Sequence, residues 1–183
     1  MVVWSQWNSA SNTREIYASR HNMAVLEWSS PQKITTGALD SNPQLIVAGS
    51  DFLVVFTRYD SAGNTYSVLT KQWTGIWDVN SAVVTTGLTI PPDTRVASSA
   101  TPTGAARTYL MTYEDGTGIV KYASSTTGTS WSTGSTGFSA VKPRIASNYS
   151  SKYMVTGVSG GNVLAMASSL TGTSPTWGGS VQI

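Results

Sequence analysis

Short runs of Val, Ile, Leu, Thr and aromatic residues alternate along the whole chain with clusters of Gly, Ser, Asn, Asp and Pro, and no segment carries the three-and-four spacing of an amphipathic helix. The pattern predicts β-strands throughout. Residues 44–48 (Gln-Leu-Ile-Val-Ala), 52–59 (Phe-Leu-Val-Val-Phe-Thr-Arg-Tyr), 66–70 and 82–85 form the clearest set, with Gly49-Ser-Asp51 and Asp60-Ser-Ala-Gly-Asn64 as turns. Runs at 95–98, 109–113 and 119–123 repeat the plan, and runs at 144–147, 153–156 and 163–167 repeat it again. The opening residues supply only three runs, so the innermost strand is missing there.

A polar marker accompanies the rhythm. Ser124-Ser-Thr-Thr-Gly-Thr-Ser-Trp131 returns as Ser168-Ser-Leu-Thr-Gly-Thr-Ser-Pro-Thr-Trp177, and more loosely as Thr70-Lys-Gln-Trp-Thr-Gly-Ile-Trp77 and as residues 19–28, which end at Trp28. The closing tryptophans recur about every fifty residues, the period of a four-stranded propeller blade. The expected fold is therefore all-β: one repeat-built domain over residues 1–183, a β-propeller of about four blades at approximately 1–37, 38–87, 88–137 and 138–183, with fifteen strands and the first blade incomplete. Trp28, Trp77, Trp131 and Trp177 are expected in the core, and so is Trp4, by alignment with Phe56, Tyr113 and Gly157. Ala18, Leu69, Ala123 and Ala167 align at a second position that calls for small or apolar side chains.

A ring with a missing strand leaves an exposed edge. Either the ring closes around one three-stranded blade, or a second copy of the chain covers the gap, and the isologous homodimer is favoured.

The marker resembles the Asp-box, or BNR, repeat of sialidases and sialidase-like propellers, whose pattern is roughly Ser-x-Asp-x-Gly-x-Thr-Trp. Ser124, Gly128, Ser130 and Trp131 match it, while Thr126, Leu170 and Gln72 stand where the family has Asp. The resemblance implies blades whose boxes are structural, with the box turn on the face opposite the active site. A sialidase site would further imply six blades, three arginines clamping a carboxylate, a Tyr nucleophile paired with Glu, and an Asp acid/base. Here the corresponding inner-strand starts carry Gln44, Arg95 and Arg144.

Composition narrows the function classes. Charged residues are 11% of the chain and the net charge of +2 is dispersed, so the basic footprint of a nucleic-acid binder is missing. No stretch reaches the length of a membrane helix, and no basic-then-apolar signal segment opens the chain. There is no cysteine, which removes disulfides and thiolate chemistry without fixing the compartment; an extracellular or surface-associated setting is weakly favoured. Nothing calls for a cofactor.

The candidate ligand face comprises the inner-strand starts and the turns after the second strands. Arg95 and Arg144, at the same register, are expected to converge on a common funnel and suit a carboxylate or sulfate; the plain alternative is pairing with a neighbouring carboxylate. Asp60, Glu114 and Asp115 occupy equivalent turns, where two carboxylates could serve glycoside hydrolysis or simply be solvated. Asp60-Ser-Ala-Gly-Asn-Thr lacks the acidic alternation of a calcium loop. Trp7 and Tyr59 align at one position and offer rings for a sugar face, or cover a sheet edge. Trp73 is likewise outside the repeat. The lone His21 has no partners for a metal or catalytic triad. The expected function is a non-catalytic binding module for a carbohydrate or another polar, anionic ligand, with a glycosidase remnant and a structural assembly protein as alternatives.

Overall fold

The computed structural model describes residues 1–99, 107–148 and 152–183. In chain order the strands are β1 (Val2–Asn8), β2 (Thr13–Ser19), β3 (His21–Asn22), β4 (Glu27–Trp28), β5 (Gln32–Lys33), β6 (Leu39–Ala48), β7 (Asp51–Asp60), β8 (Thr65–Trp73), β9 (Ala82–Leu88), β10 (Arg95–Ser99), β11 (Thr108–Tyr113), β12 (Ile119–Ser125), β13 (Ser132–Ser139), β14 (Val141–Ser147), β15 (Lys152–Ser159), β16 (Asn162–Thr171) and β17 (Ser174–Gln182). They form four sheets. The first has seven strands in the order β1-β2-β6-β7-β8-β9, with β5 also on β2; β10 to β13 and β14 to β17 are four-stranded meanders; β3 and β4 pair alone. Among the described residues there is no helix, and hence none long and apolar enough to cross a membrane.

The expected propeller does not form. The first two repeats share one sheet, because β2 bonds β5 antiparallel on its free edge and meets β6 in a single parallel pair, Arg14 with Leu39. None of the sheets closes or curls strongly, and among the described residues no strand pairing carries the β14–β17 sheet back to β1. The physical reason lies in the first repeat. Without an innermost strand of its own, β2 satisfies its edge locally, and nothing is left there to receive the far end of the chain.

Strand β7 shows why the sheets stack as they do. Its Leu53-Val-Val-Phe56 run is buried on both sides, which only an interior strand can be. Val54 and Phe56 pack with Ile16, Ala18, Ile34 and Leu69 on one side. Leu53 and Val55 pack with Tyr109, Met111 and Ala123 on the other. A further cluster joins Val120, Phe138 and Ala140 to Val155 and Met166, and a smaller one joins Leu110, Tyr153 and Leu170. The apolar core thus runs from sheet to sheet. Removing a fully buried ring such as Phe56 should cost about 3–5 kcal/mol.

Hydroxyls tie the sheets where the apolar clusters end. Ser98 on β10 donates to the Val47 carbonyl of β6 at 3.0 Å, and Ser147 on β14 donates to the Ser98 carbonyl at 2.6 Å. The turn at 124–131 makes a similar tie. Ser125 Oγ accepts from the Gly128 N–H at 2.8 Å and closes the turn. Gly128 has φ +80°, and its carbonyl accepts from the Thr70 hydroxyl at 2.8 Å and from Trp131 Nε1 at 3.1 Å. A Cβ on Gly128 would stand 3.0 Å from Leu53 Cδ1, so the turn sits tight against the first sheet.

Three of the four repeat tryptophans lean on these clusters. Trp77, Trp131 and Trp177 are half-buried against core residues. Trp28 is not: it is 54% exposed on the separate β3–β4 hairpin, because that hairpin is closed on itself by Arg20 and Ser29 and has no sheet beneath its ring. Trp4 is also displaced from the expected core. It is half-buried, stacked on Tyr17 with centroids 5.9 Å apart, while Val3 on the opposite face of β1 takes the core position. Of the small-residue set, Ala18, Leu69 and Ala123 are buried and Ala167 is exposed.

Candidate functional site

Antiparallel pairing decides which turns accompany which strand starts. Leu39 pairs with Tyr59 and Arg95 with Thr112, so the starts of β6 and β10 share a sheet end with the Asp60 turn and the Glu114-Asp115 turn. The Pro91-Pro92-Asp93-Thr94 segment leads into β10 at this end. The two prolines fix their own φ angles and remove two backbone donors, so this segment forms no strand of its own before β10.

Asp93 is the centre of the site. Arg95 Nη1 reaches its Oδ1 at 2.7 Å, and Arg144 Nη1 reaches its Oδ2 at 3.0 Å, so one carboxylate holds guanidiniums from β10 and β14. Each guanidinium is also anchored to local backbone: Arg95 donates to the Thr94 carbonyl at 2.6 Å and Arg144 to the Pro143 carbonyl at 2.8 Å. Gln44 Nε2 donates to the Thr94 hydroxyl at 3.2 Å and to the Thr94 carbonyl. Gln44, Asp93, Thr94 and Arg95 border a cavity of about 550 Å³ between Asn42, Pro43 and Gln44 on one wall and residues 91–95 on the other. Arg144 lies outside this lining and is tied to it through Asp93, with 52% of its side chain exposed.

The arrangement is not a stability device. Ion pairs this open to water contribute about 0–1 kcal/mol each. Arg58 and Asp40 supply the contrast: Asp40 is fully buried and accepts from Nε at 2.7 Å and Nη2 at 3.0 Å. Hydrogen bonding to Asp40 holds the Arg58 guanidinium above its ordinary value, against the burial that would lower it. That bidentate pair fixes the β6–β7 register, whereas the Asp93 cluster presents unpaired guanidinium donors beside a cavity.

The structure places Gln44 and Arg95 in the cavity lining and joins Arg144 to it through Asp93; the other candidates lie outside the lining. Trp7, 49% exposed, pairs with Arg14, which meets Leu39, which pairs with Tyr59; these residues form a row across the first sheet. Tyr59 packs on Tyr66 at 4.9 Å and donates to Asn64 Oδ1. Asp60 accepts from the Ala62 N–H and shapes its hairpin. Glu114 accepts from the Lys142 N–H. Asp115 accepts from the Thr117 N–H and hydroxyl and faces Lys121 at 3.4 Å. Burial pushes its carboxyl up, but the Thr117 hydrogen bonds and Lys121 outweigh this and hold it below its ordinary value. His21 packs edge-on against Trp28. Among the described residues no group of three or more His, Asp or Glu could hold a metal ion.

Sequence reasoning missed Asp93 and Thr94, since a Pro-Pro-Asp-Thr segment reads as a loop; its one signal was an acidic residue two positions before Arg95. It also missed Glu15, a buried carboxylate on β2 that meets Lys33 at 3.3 Å and accepts from Asn8 and Tyr17 at 3.4 Å. No protein-family model matches the chain, and no curated protein is significantly similar to it in sequence.

Proposed function

We propose that this chain is a non-catalytic binding module that takes a carbohydrate or another polar ligand bearing an anionic group at the Asp93 cleft. The observation that carries the reading is the convergence of Arg95 and Arg144, from two different sheets, on one carboxylate beside an open cavity. A carboxylate shared by two guanidiniums leaves a net positive charge, and the donors that do not reach Asp93 are fixed in direction by their backbone anchors. Asn42 and Gln44 add amide groups for hydroxyls, while Pro43, Pro91 and Pro92 supply apolar walls for C–H faces.

The binding reading is preferred to a hydrolytic one because Asp93, the carboxylate in the lining, is engaged by both arginines as a charged acceptor and is not set opposite a second free carboxyl. A glycan array followed by calorimetry tests the proposal. The double substitution Arg95→Ala with Arg144→Ala should reduce affinity for an acidic glycan by about a hundredfold, at two charge-assisted contacts and about tenfold for each. Undiminished binding by the double variant would make the cluster a purely structural feature.

A further inference from the structure

Arg20 lies at the opposite end of the first sheet, just after β2 and close to the Gly49-Ser50 turn that follows β6. Three cavities, of about 430, 370 and 220 Å³, all have Arg20 in their walls, so they adjoin through this one side chain. Its backbone is fixed at the base of the β3–β4 hairpin: the Arg20 N–H donates to Ser29 Oγ at 3.0 Å and the Arg20 carbonyl accepts from the Ser29 N–H at 2.8 Å. Its guanidinium lies over the Trp73 ring, 4.9 Å from the centroid. Among the described residues no carboxylate forms an ion pair with it, although Asp51 borders the adjoining cavity; Asp51 is engaged by Arg107.

An arginine stacked on an indole is held by the face of its guanidinium, which leaves the N–H donors in its plane free for an acceptor. The middle cavity, which Arg20 helps to line, is also lined by Trp28, Asn22 and Glu27. Trp28 is 54% exposed because no core cluster meets its ring, and an exposed ring flanked by an amide and a carboxylate has the composition of a sugar-holding wall. Asn22 Oδ1 is occupied by the Ala24 N–H, which leaves its amide nitrogen to donate to a hydroxyl, and Glu27 can accept from one.

We infer that the Arg20 groove is a second binding site, for a saccharide carrying an anionic group, with the anion on the Arg20 guanidinium and a pyranose ring against Trp28. Uronic acids and sulfated sugars share this chemistry. The site is independent of the Asp93 cleft and does not rest on the function proposed for it.

The test is calorimetry on the full chain with three hexasaccharide probes: a uronate oligomer, a sulfated oligomer and a neutral oligomer. At least one anionic probe should bind about tenfold or more tightly than the neutral one, the ratio expected of one charge-assisted contact, and whichever binds identifies the source of the anion. Arg20→Ala and Trp28→Ala should each weaken that binding by about tenfold or more, and Arg20→Lys should recover only part of it because a lysine lacks the planar fork. Adding Arg20→Ala or Trp28→Ala to the Arg95→Ala, Arg144→Ala chain, in which the Asp93 cleft is disabled, should still weaken the remaining binding by about tenfold or more, which separates this site from the Asp93 cleft. Trp28 is exposed, so its variant keeps the test valid if Arg20→Ala unfolds. Failure of both anionic probes to bind, or equal affinity in the Trp28→Ala chain, overturns the inference.

Discussion

At residues 124–131 a polar turn is pressed against the first sheet, with the Gly128 carbonyl taking bonds from Thr70 and Trp131 and the Trp131 ring 6.2 Å from Tyr109. At residues 21–28 a turn of the same length, also ending in tryptophan, pairs only with itself, and Met23, Val25, Leu26 and Trp28 are exposed on it. The difference lies in what surrounds them. Thr70, Leu53 and Tyr109 give the first turn a socket, whereas the second has only its own two-residue strands and a clamp at its base. A tryptophan becomes a structural wedge where a neighbouring sheet offers its ring an apolar wall, and otherwise stays available to a ligand.

The sharpest way to break this comparison is to truncate both rings. Trp131→Ala should lower stability by about 3 kcal/mol, near the low end for a large aromatic because the ring is half-buried. Trp28→Ala should change it by no more than about 0.5 kcal/mol. Urea midpoints that move equally for the two variants would remove the distinction.

Backbone strain offers a second contrast. Gly128→Ala places a Cβ at positive φ and 3.0 Å from Leu53, and should cost about 1–2 kcal/mol. In the exposed hairpin the sign reverses: Leu26 already occupies φ +55°, so Leu26→Gly should be neutral or stabilise by up to about 1 kcal/mol in thermal melts. A cost for Leu26→Gly as large as that for Gly128→Ala would show that the hairpin tip also has a fixed partner.

Acid titration should give the smallest effect. Burial pushes the Glu15 carboxyl up, but Lys33, Asn8 and the Gly37 N–H outweigh it and hold it below its ordinary 4.5. Its unfolded form binds protons first, so its stabilising contribution is complete above about pH 4.5 and fades as pH falls through the lower folded value. Asp115 behaves likewise below its ordinary 3.8. Glu15→Gln should therefore cost stability at neutral pH, with the gap to the parent chain narrowing in acid. A gap independent of pH would assign the loss to packing.

Most of the strands were legible because strand formation is local: the Phe-Leu-Val-Val-Phe run of β7 and the Gly49 and Asp60 turns each declare themselves within ten residues. Ring closure was not legible. It depends on whether distant ends meet, and the edge of β2 was claimed by residues 32–39 instead. The site divides in the same way. Arg95 and Arg144 share a register that the repeat exposes, so their convergence could be anticipated, but their common partner Asp93 lies in a loop outside the periodic pattern. Trp28 satisfied the repeat spacing without the socket that gives the spacing its meaning, because sockets are built by other segments.

Serine bonds mark two seams between successive inner strands, and the seams are unequal, which gives the molecule a preferred order of opening. When the β14–β17 sheet detaches, the Ser98 carbonyl gives up the Ser147 hydroxyl and the smaller clusters around Phe138, Val155 and Leu110 open. When the first sheet detaches, the Ser98 hydroxyl loses its Val47 acceptor and the larger cluster around Leu53, Val55, Tyr109 and Met111 opens. Exposing the larger apolar cluster is the costlier event. Unzipping therefore runs from the C-terminal sheet inward, and amide hydrogens on β15 and β16 should exchange ahead of those on β7.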